Sequence, residues 1–416
     1  MTLACVEMLS FGLAHLARAA DEAGERLVLL TGVEQLYLHE LAALPPGAID
    51  VVPVDTHDRG AVVEQLRAIG DLRGVISSTD TWGVTGAELA VEFGLPGIDP
   101  TVIRRVRDKA HVRDVLYRAG LSRFASYAVD DVDNLSLSRL AAAVGLPAVV
   151  KDTSGTGSQN VWLVRDAEDL HRLRHGAGRA PLFGRLFAEP FLPGPVYSAE
   201  TLTWQGHTHL LGLSSRLMSP RPWFREDVTA FPVALPDDDF RKIGQWLGTV
   251  LAALGYTDRF AHIELAMTVD GPQVIEVNPR IGGALVGESM CRALGFNVYS
   301  GLVDLALGRR PRLLDHPLPA RGPAVAFVLA YPDRAGVLAA VQGLDELSRY
   351  PGNPTWYPTK AIGAHIAHLT DARGHAGILL AEGPTAEIAT HRAVAAAGAL
   401  HVDTRAADGT HRRSDP

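Results

Sequence analysis

Hydrophobic positions in the first hundred residues change period repeatedly. Leu9 to Ala23 places its apolar residues at helical spacing, and short β-branched runs follow at RLVLLTG, IDVVPVD and GVISSTD, the last ending near Thr79. Helices alternating with short buried strands predict an open parallel sheet covered by helices. The segment TVIRRVRDKAHVRDVLYRAG, 101–120, reads as one helix with a basic face that stops at Gly120. This predicts an N-terminal α/β domain over 1–105 and a linking helix region over 106–135.

The pattern then changes character. SLSRLAAAVG, 136–145, has helical spacing, and strand PAVVK, loop DTSGTGSQN and strand VWLV follow as a hairpin able to close over a ligand. RLFAEPFLPGPVYSAETLTWQG and THLLGLSSR read as strands, and 238–255 as a helix ended by Gly255. HIELAMTV and PQVIEVNPR predict a strand pair over 262–269 and 273–278, joined at Asp270–Gly271. The expected division is a lid over 136–210, a catalytic core over 211–310 and a small C-terminal α+β domain over 311–405. That last unit opens with PRLLDHPLPARGP and closes with an alanine-rich helix near 386–397, leaving 406–416 as a flexible tail.

Composition narrows the class. At about 100–200 residues per domain, 416 residues exceed one ordinary domain. The apolar fraction of 47% against 21% charged excludes general disorder. With 39 basic and 47 acidic residues, a net charge of −8 and no long Lys/Arg block, nucleic acid is not the expected partner. Cys5 and Cys291 are too few for a disulfide framework or thiolate metal cluster, and read as buried small hydrophobes in a reducing compartment. No apolar run reaches the roughly 18–20 residues of a membrane span and no basic leader opens the chain, so a cytoplasmic protein without membrane partners is expected.

Candidate chemistry concentrates in two stretches. Hairpin pairing brings Glu264 opposite Glu276, and Asn278, two residues on, shares the face of Glu276 while Ile275 and Val277 point into the core. Two carboxylates and an amide oxygen form a hard-oxygen site suited to Mg²⁺. Arg280, Gly282 and Gly283 add a forked cation and exposed backbone donors for an anion. The second stretch is Lys151 at a strand end, followed by Gly155, Gly157 and Ser158, whose loop leaves backbone N–H groups open to phosphate. A solvated hairpin and a plain turn are the alternatives for these letters. His207 and His209 have H-x-H spacing, but without further ligands they read as a solvated rim and no zinc is assigned. Asp80, the last residue of GVISSTD, reads either as a helix cap or as one wall of a substrate pocket.

Taken in order, Asp108–Lys109, Lys151 with Gly155 and Gly157, AEPFLPG at 188–194 and Glu264…Glu276-x-Asn278-x-Arg280-x-Gly282-Gly283 resemble the ATP-grasp carboxylate–amine ligases, in the L-amino-acid (dipeptide) ligase branch. The resemblance covers about residues 1–400. It implies the ATP-grasp fold: an α/β and α+β multidomain chain with an N-terminal open parallel sheet, a glycine-hairpin lid and a catalytic antiparallel sheet. It further implies that Lys109 and Lys151 hold ATP phosphates, that Glu189 and Phe191 lie along adenine, and that Glu264, Glu276 and Asn278 carry two Mg²⁺ ions, replaceable by Mn²⁺. Arg280 would steady an acyl phosphate, and Arg216 stands where relatives have a lysine. Val196 stands where they have a ribose-binding Glu, and Glu200 is the nearby substitute. SPRPWFRE, 219–226, resembles their amino-acid-contacting segment, in which Glu226 attracts an ammonium, Arg221 or Arg225 a carboxylate, and Trp223 lies close; surface charges around a buried Trp explain the same letters.

The implied activity is ATP-dependent amide formation between an amino acid or related acid and an amine, through an acyl phosphate, with release of ADP and phosphate. A homodimer, small-molecule substrates and a role in natural-product biosynthesis accompany that reading. An ATP-grasp carboxylase or phosphoribosyl-pathway ligase shares the mechanism, and a nucleotide-binding regulatory protein without turnover belongs to another class.

Overall fold

Four short strands, Thr2–Val6, Arg26–Thr31, Asp50–Pro53 and Leu72–Ile76, pair in parallel in the order third, second, first, fourth. They build the predicted N-terminal sheet, with helices Leu13–Glu22, Arg59–Ala68 and Gly83–Glu92 between or after them. The computed structural model describes residues 1–176, 181–318 and 322–406. Of the expected tail 406–416, all but its first residue lies outside the described residues.

The basic stretch 101–120 forms two helices, Pro100–Arg107 and Lys109–Arg118. Asp108 separates them: it leaves helical geometry at φ −84°, ψ 100°, and its side chain accepts from His111 N. A carboxylate that satisfies a free N–H at a helix start competes with helix continuation, and apolar spacing alone does not register that competition.

Strands Tyr127–Val129, Leu186–Pro190, Ala148–Asp152 and Val161–Val164 form an antiparallel sheet in that order, with the glycine loop joining the last two. Its core packs Leu140, Val150, Val164, Leu173 and Ala188. This sheet spans 127–190. Val196–Trp204 and the start of His207–Met218, assigned above to the lid, belong instead to the central sheet.

The central sheet is eight-stranded and antiparallel throughout, in the order Gly271–Asn278, Arg259–Thr268, Val196–Trp204, His207–Met218, Glu226–Phe231, Ala324–Ala330, Gly377–Gly383, Thr355–Pro358. Residue 311 is therefore no break in hydrogen bonding, because Phe231 pairs with Val325 and Val228 with Val328 across it. A separate three-stranded sheet, His365–Ile366, Gly336–Gln342 and His401–Arg405, completes the C-terminal part. The helix Asp237–Ala253 and the last helix, Ala386–Ala397, follow the sequence pattern closely. Cys5 and Cys291 are buried and free.

Candidate active site

Strand alternation lays polar residues side by side on one face of the central sheet. Glu276 and Asn278 stand opposite Glu264 and His262. Ser198 and Glu200 stand opposite Glu264 and His262 from the other side. Residues two apart share a face, so one register choice aligns all six. A bulge between Glu264 and Leu265 leaves Ile275 without a direct partner. Ile275 accordingly lines the site rather than entering the core, whereas Val277 is buried as expected.

These residues form part of the wall of a cavity of about 750 Å³ between the N-terminal sheet, the glycine-loop sheet and the central sheet. Of the candidates, Asp80, Lys109, Lys151, Gly155, Gly157, Ser158, Glu189, Phe191, Arg216, Trp223, Glu226, Glu264, Glu276, Asn278, Arg280 and Gly283 line it. Glu200 and Gly282 do not. Glu200 is 1% exposed and lies behind His262, whose Nδ1 donates to it at 2.8 Å. Gly282 packs so tightly that a Cβ there would lie 2.6 Å from Val286 Cγ1. Val196 lines the cavity.

Five carboxylates on this wall, Glu276, Glu264, Glu226, Glu189 and Asp80, each have a cation beside them. Lys109 Nζ lies 3.1 Å from Glu276 and donates to Gly155 O at 2.6 Å, tying the glycine loop to the carboxylate pair. Asn278 Nδ2 donates to Glu276 at 2.8 Å. Arg216 bridges Glu264 and Glu226. Burial works to raise the Glu264 carboxyl, but the Arg216 guanidinium and His262 hold it well below the usual carboxylate range. His262 shows the converse: burial opposes its charge, yet Glu200 and Glu264 push its pKa up to about 9. Lys151 Nζ lies 2.6 Å from Glu189, which Arg113 also holds at 2.8 Å. Burial would raise Glu189, and Arg113 and Lys151 bring it down.

Arg280 donates to Asp80 at 2.5 Å, and Arg107 lies 3.2 Å from the same carboxylate. Asp80 therefore faces the cavity, while the helix that follows it has Trp82 at its cap position without a side-chain bond. The glycine loop is held at its tip: Ala372 N donates to Gly157 O at 3.2 Å, and Ser158 Oγ donates to Phe224 O at 2.8 Å. Arg221 stacks over Phe191, 4.2 Å from the ring centroid, and Trp223 is half exposed beside it.

The donor set fits magnesium and phosphate. Glu264, Glu276 and the Asn278 amide oxygen are hard donors on adjacent strands. Among the described residues no group of three or more His, Cys, Asp or Glu could hold a metal alone, so an ion here would share its ligands with an anion. Buried Nε atoms of Arg216 and Arg280 lack hydrogen-bond acceptors, as donors awaiting such an anion would. His207 is exposed and belongs to no metal group.

Sequence reading missed His262, Arg107, Arg113 and Lys360. His262 carried a signal, since it lies two residues before Glu264 on the same face. Lys360 lines the cavity from the C-terminal part, 84 positions after Glu276, and only the tertiary fold brings it there.

Such a fold and site define the ATP-grasp class, and comparison with known proteins agrees. The ATP-grasp domain model matches residues 144–288, and the L-amino acid ligase C-terminal domain 2 model matches residues 328–405. The chain thus carries an ATP-grasp domain followed by an L-amino acid ligase C-terminal domain.

Among its relatives, the uncharacterized protein y4rH of Sinorhizobium fredii is 30% identical over 315 residues, covering 73% of this chain and 63% of that protein. Carnosine synthase 1 of Gallus gallus is 30% identical over 317 residues, 70% of this chain but 34% of the synthase. The match thus spans less than two thirds of either relative. The crystal structure of the L-amino acid ligase from Bacillus licheniformis superimposes with a TM-score of 0.80 at 23% identity, covering 97% of this chain and 98% of that one. Biotin carboxylases also match.

Proposed function

We propose that this protein is an ATP-dependent carboxylate–amine ligase that joins an amino acid or related acid to an amine and releases ADP and phosphate. The observation that carries this reading is the facing pair Glu264 and Glu276, with Arg280, Lys109 and Arg216 around the same cavity. Such a set neutralises a transferring phosphoryl group, which is what converts an unreactive carboxylate into an electrophile.

Mg·ATP would supply the γ-phosphoryl group, leaving ADP and making the carboxylate an acyl phosphate; the amine attacks the acyl carbon, the bond to phosphate breaks, and phosphate leaves with the amine's proton lost to solvent to give the amide. Glu264, Glu276 and Asn278 would hold the metal, one ion to each carboxylate, and Mn²⁺, with the same oxygen preference, would substitute. Lys109, Lys151 and the loop Gly155–Ser158 hold the phosphates, with Glu189 and Phe191 along the base. Arg280, aligned by Asp80, holds the reacting carboxylate and its developing charge. Arg216 takes the phosphoryl-facing place of a lysine and turns Glu226 toward the acceptor side, beside Trp223. Gly283 leaves its backbone accessible at the same wall. The closed glycine loop excludes water from an intermediate that water would destroy.

Glu200 acts through His262, keeping the imidazolium against Glu264, and Gly282 permits the close turn after Arg280. The match of residues 328–405 to an L-amino acid ligase domain favours this activity over the carboxylases that share the core. We also propose a homodimer acting in the cytoplasm, in natural-product biosynthesis; among the described residues no helix is long and apolar enough to cross a membrane. The test is trapping: acid, Mg·ATP and hydroxylamine give an acyl hydroxamate with ADP, whereas AMP and pyrophosphate would overturn the scheme.

A further inference from the structure

The strand Thr355–Pro358 ends where Pro358 pairs with Gly377, and Thr359 N and Lys360 N then both donate to Ala376 O, at 3.1 and 3.2 Å. This pinned turn sets Lys360 on the cavity wall together with His375 and Ile378. The cations around the cavity are not equally engaged. Lys109, Lys151, Arg216 and Arg280 each face a carboxylate. Arg221 is exposed and stacks on Phe191, while Arg225 is taken up by Asp227, Leu369 O and the ring of Tyr331. Lys360 is partly buried, yet among the described residues its ammonium makes no ion pair and no hydrogen bond. Asp371, the acid whose charge reaches it, is already gripped by Arg373 at 2.6 and 2.9 Å. An ammonium kept in a partly desolvated wall without a counter-charge costs stability, and a bound anion would offset that cost.

His375 adds no second positive charge beside it. Its Nδ1 lies 2.5 Å from Ala372 O, which can only accept, so the neutral ring has Nε2 as an acceptor. Burial, with Lys360 nearby, brings the imidazole down to about 4, and Glu226 is the carboxylate that acts on it from the other side. Beyond the facing pair Glu264 and Glu276, the wall thus runs through Arg216 and Glu226 to a neutral imidazole and then to an unpaired cation.

We propose that Lys360 holds an anionic group carried by the amine substrate, so that the acceptors are amines bearing a carboxylate or a comparable anion, with Lys360 as the specificity-determining residue. The inference rests on the ligase reading above, because it takes the Glu226 side of the cavity as the acceptor's side. The amine nitrogen lies toward Glu226 and the His375 lone pair, and the anion reaches past them to Lys360. A neutral amine leaves the ammonium uncompensated, and a diamine sets a second cation against it.

The test uses the full chain with Mg·ATP. Hydroxylamine first identifies, among the common amino acids, an acid that yields a hydroxamate. That acid is then paired with L-alanine, 1-aminoethylphosphonate, L-alaninamide and 1,2-diaminopropane as amines. L-Alanine exceeds the amide and the diamine about tenfold or more in kcat/KM, and the phosphonate tells whether a carboxylate is required or any anion serves. Lys360→Gln brings L-alanine and its amide within about threefold of one another, chiefly through KM for L-alanine, whereas Lys360→Arg keeps most of the preference. The thermal midpoint of Lys360→Gln stays level or rises, because an unpaired charge has left the wall.

Hydroxamate formation with L-alaninamide used as well as L-alanine, or with a preference that survives Lys360→Gln, overturns the acceptor site and leaves the ligase reading intact. A lowered midpoint with equal loss on both amines marks a structural lysine and overturns it too. No hydroxamate from any acid sinks the ligase reading, and the inference falls with it.

Discussion

Glu276 sits where strand alternation, the facing Glu264 and the ammonium of Lys109 converge, so its charge matters more than its shape. Glu276→Gln keeps the hydrogen bond with Asn278 within reach but removes the charge; Mg²⁺-dependent turnover is expected to fall about 100-fold or more with an unchanged circular dichroism spectrum. Lys151→Ala leaves Glu189 with Arg113 alone, at a cost of about 1–3 kcal/mol in urea unfolding, and raises KM for ATP more than for the acceptor. His262 makes a pH prediction. Its folded pKa, about 9, lies above the unfolded value of about 6.5, so its stabilisation is full below the lower value and is lost as pH rises through the upper one. Urea midpoints at pH 6, 7.5 and 9 should fall along that series, and His262→Gln should flatten the decline. Glu264, Glu276 and Asn278 were legible because a period of two is local. Lys360 was not, since nothing near it in the chain marks the wall it reaches.

At the scale of elements, the least legible features are interruptions. Asp108 splits a helix that apolar spacing reads as continuous, and in doing so sets Lys109 at a helix start facing Gly155. Asp108→Ala is expected to cost about 1 kcal/mol and to raise KM for ATP, since the lysine loses its fixed start point. The bulge beside Glu264 likewise turns Ile275 to the cavity, against simple alternation. The glycine hairpin was legible from its composition, but not its anchorage. Gly157 has φ +60°, and a Cβ there would lie 3.3 Å from Ala372 Cβ, so Gly157→Val should open the loop. Faster ATP hydrolysis relative to amide formation would show that opening, and an unchanged ratio would argue against the loop's shielding role.

Over the whole molecule, one sheet carries both the carboxylate pair and the C-terminal strands, so the C-terminal part is structural to the site. Phe231, Val325 and Phe327 are fully buried along that junction. A chain ending at residue 310 is therefore expected to lose cooperative unfolding and nucleotide binding; a folded, ATP-binding fragment would contradict the continuity of the sheet. The sequence division at 311 followed a proline-rich stretch, and strand pairing across it is non-local and leaves no compositional mark. The central claim concerns chemistry, and the most direct measurement is ADP release with Mg·ATP across acid–amine pairs, with mass spectrometry for the amide in each positive well. The account predicts pair-dependent amide in one-to-one ratio with ADP. ADP release without amide across a broad panel of amino acids, related acids and amines, or amide accompanied by AMP, would contradict it.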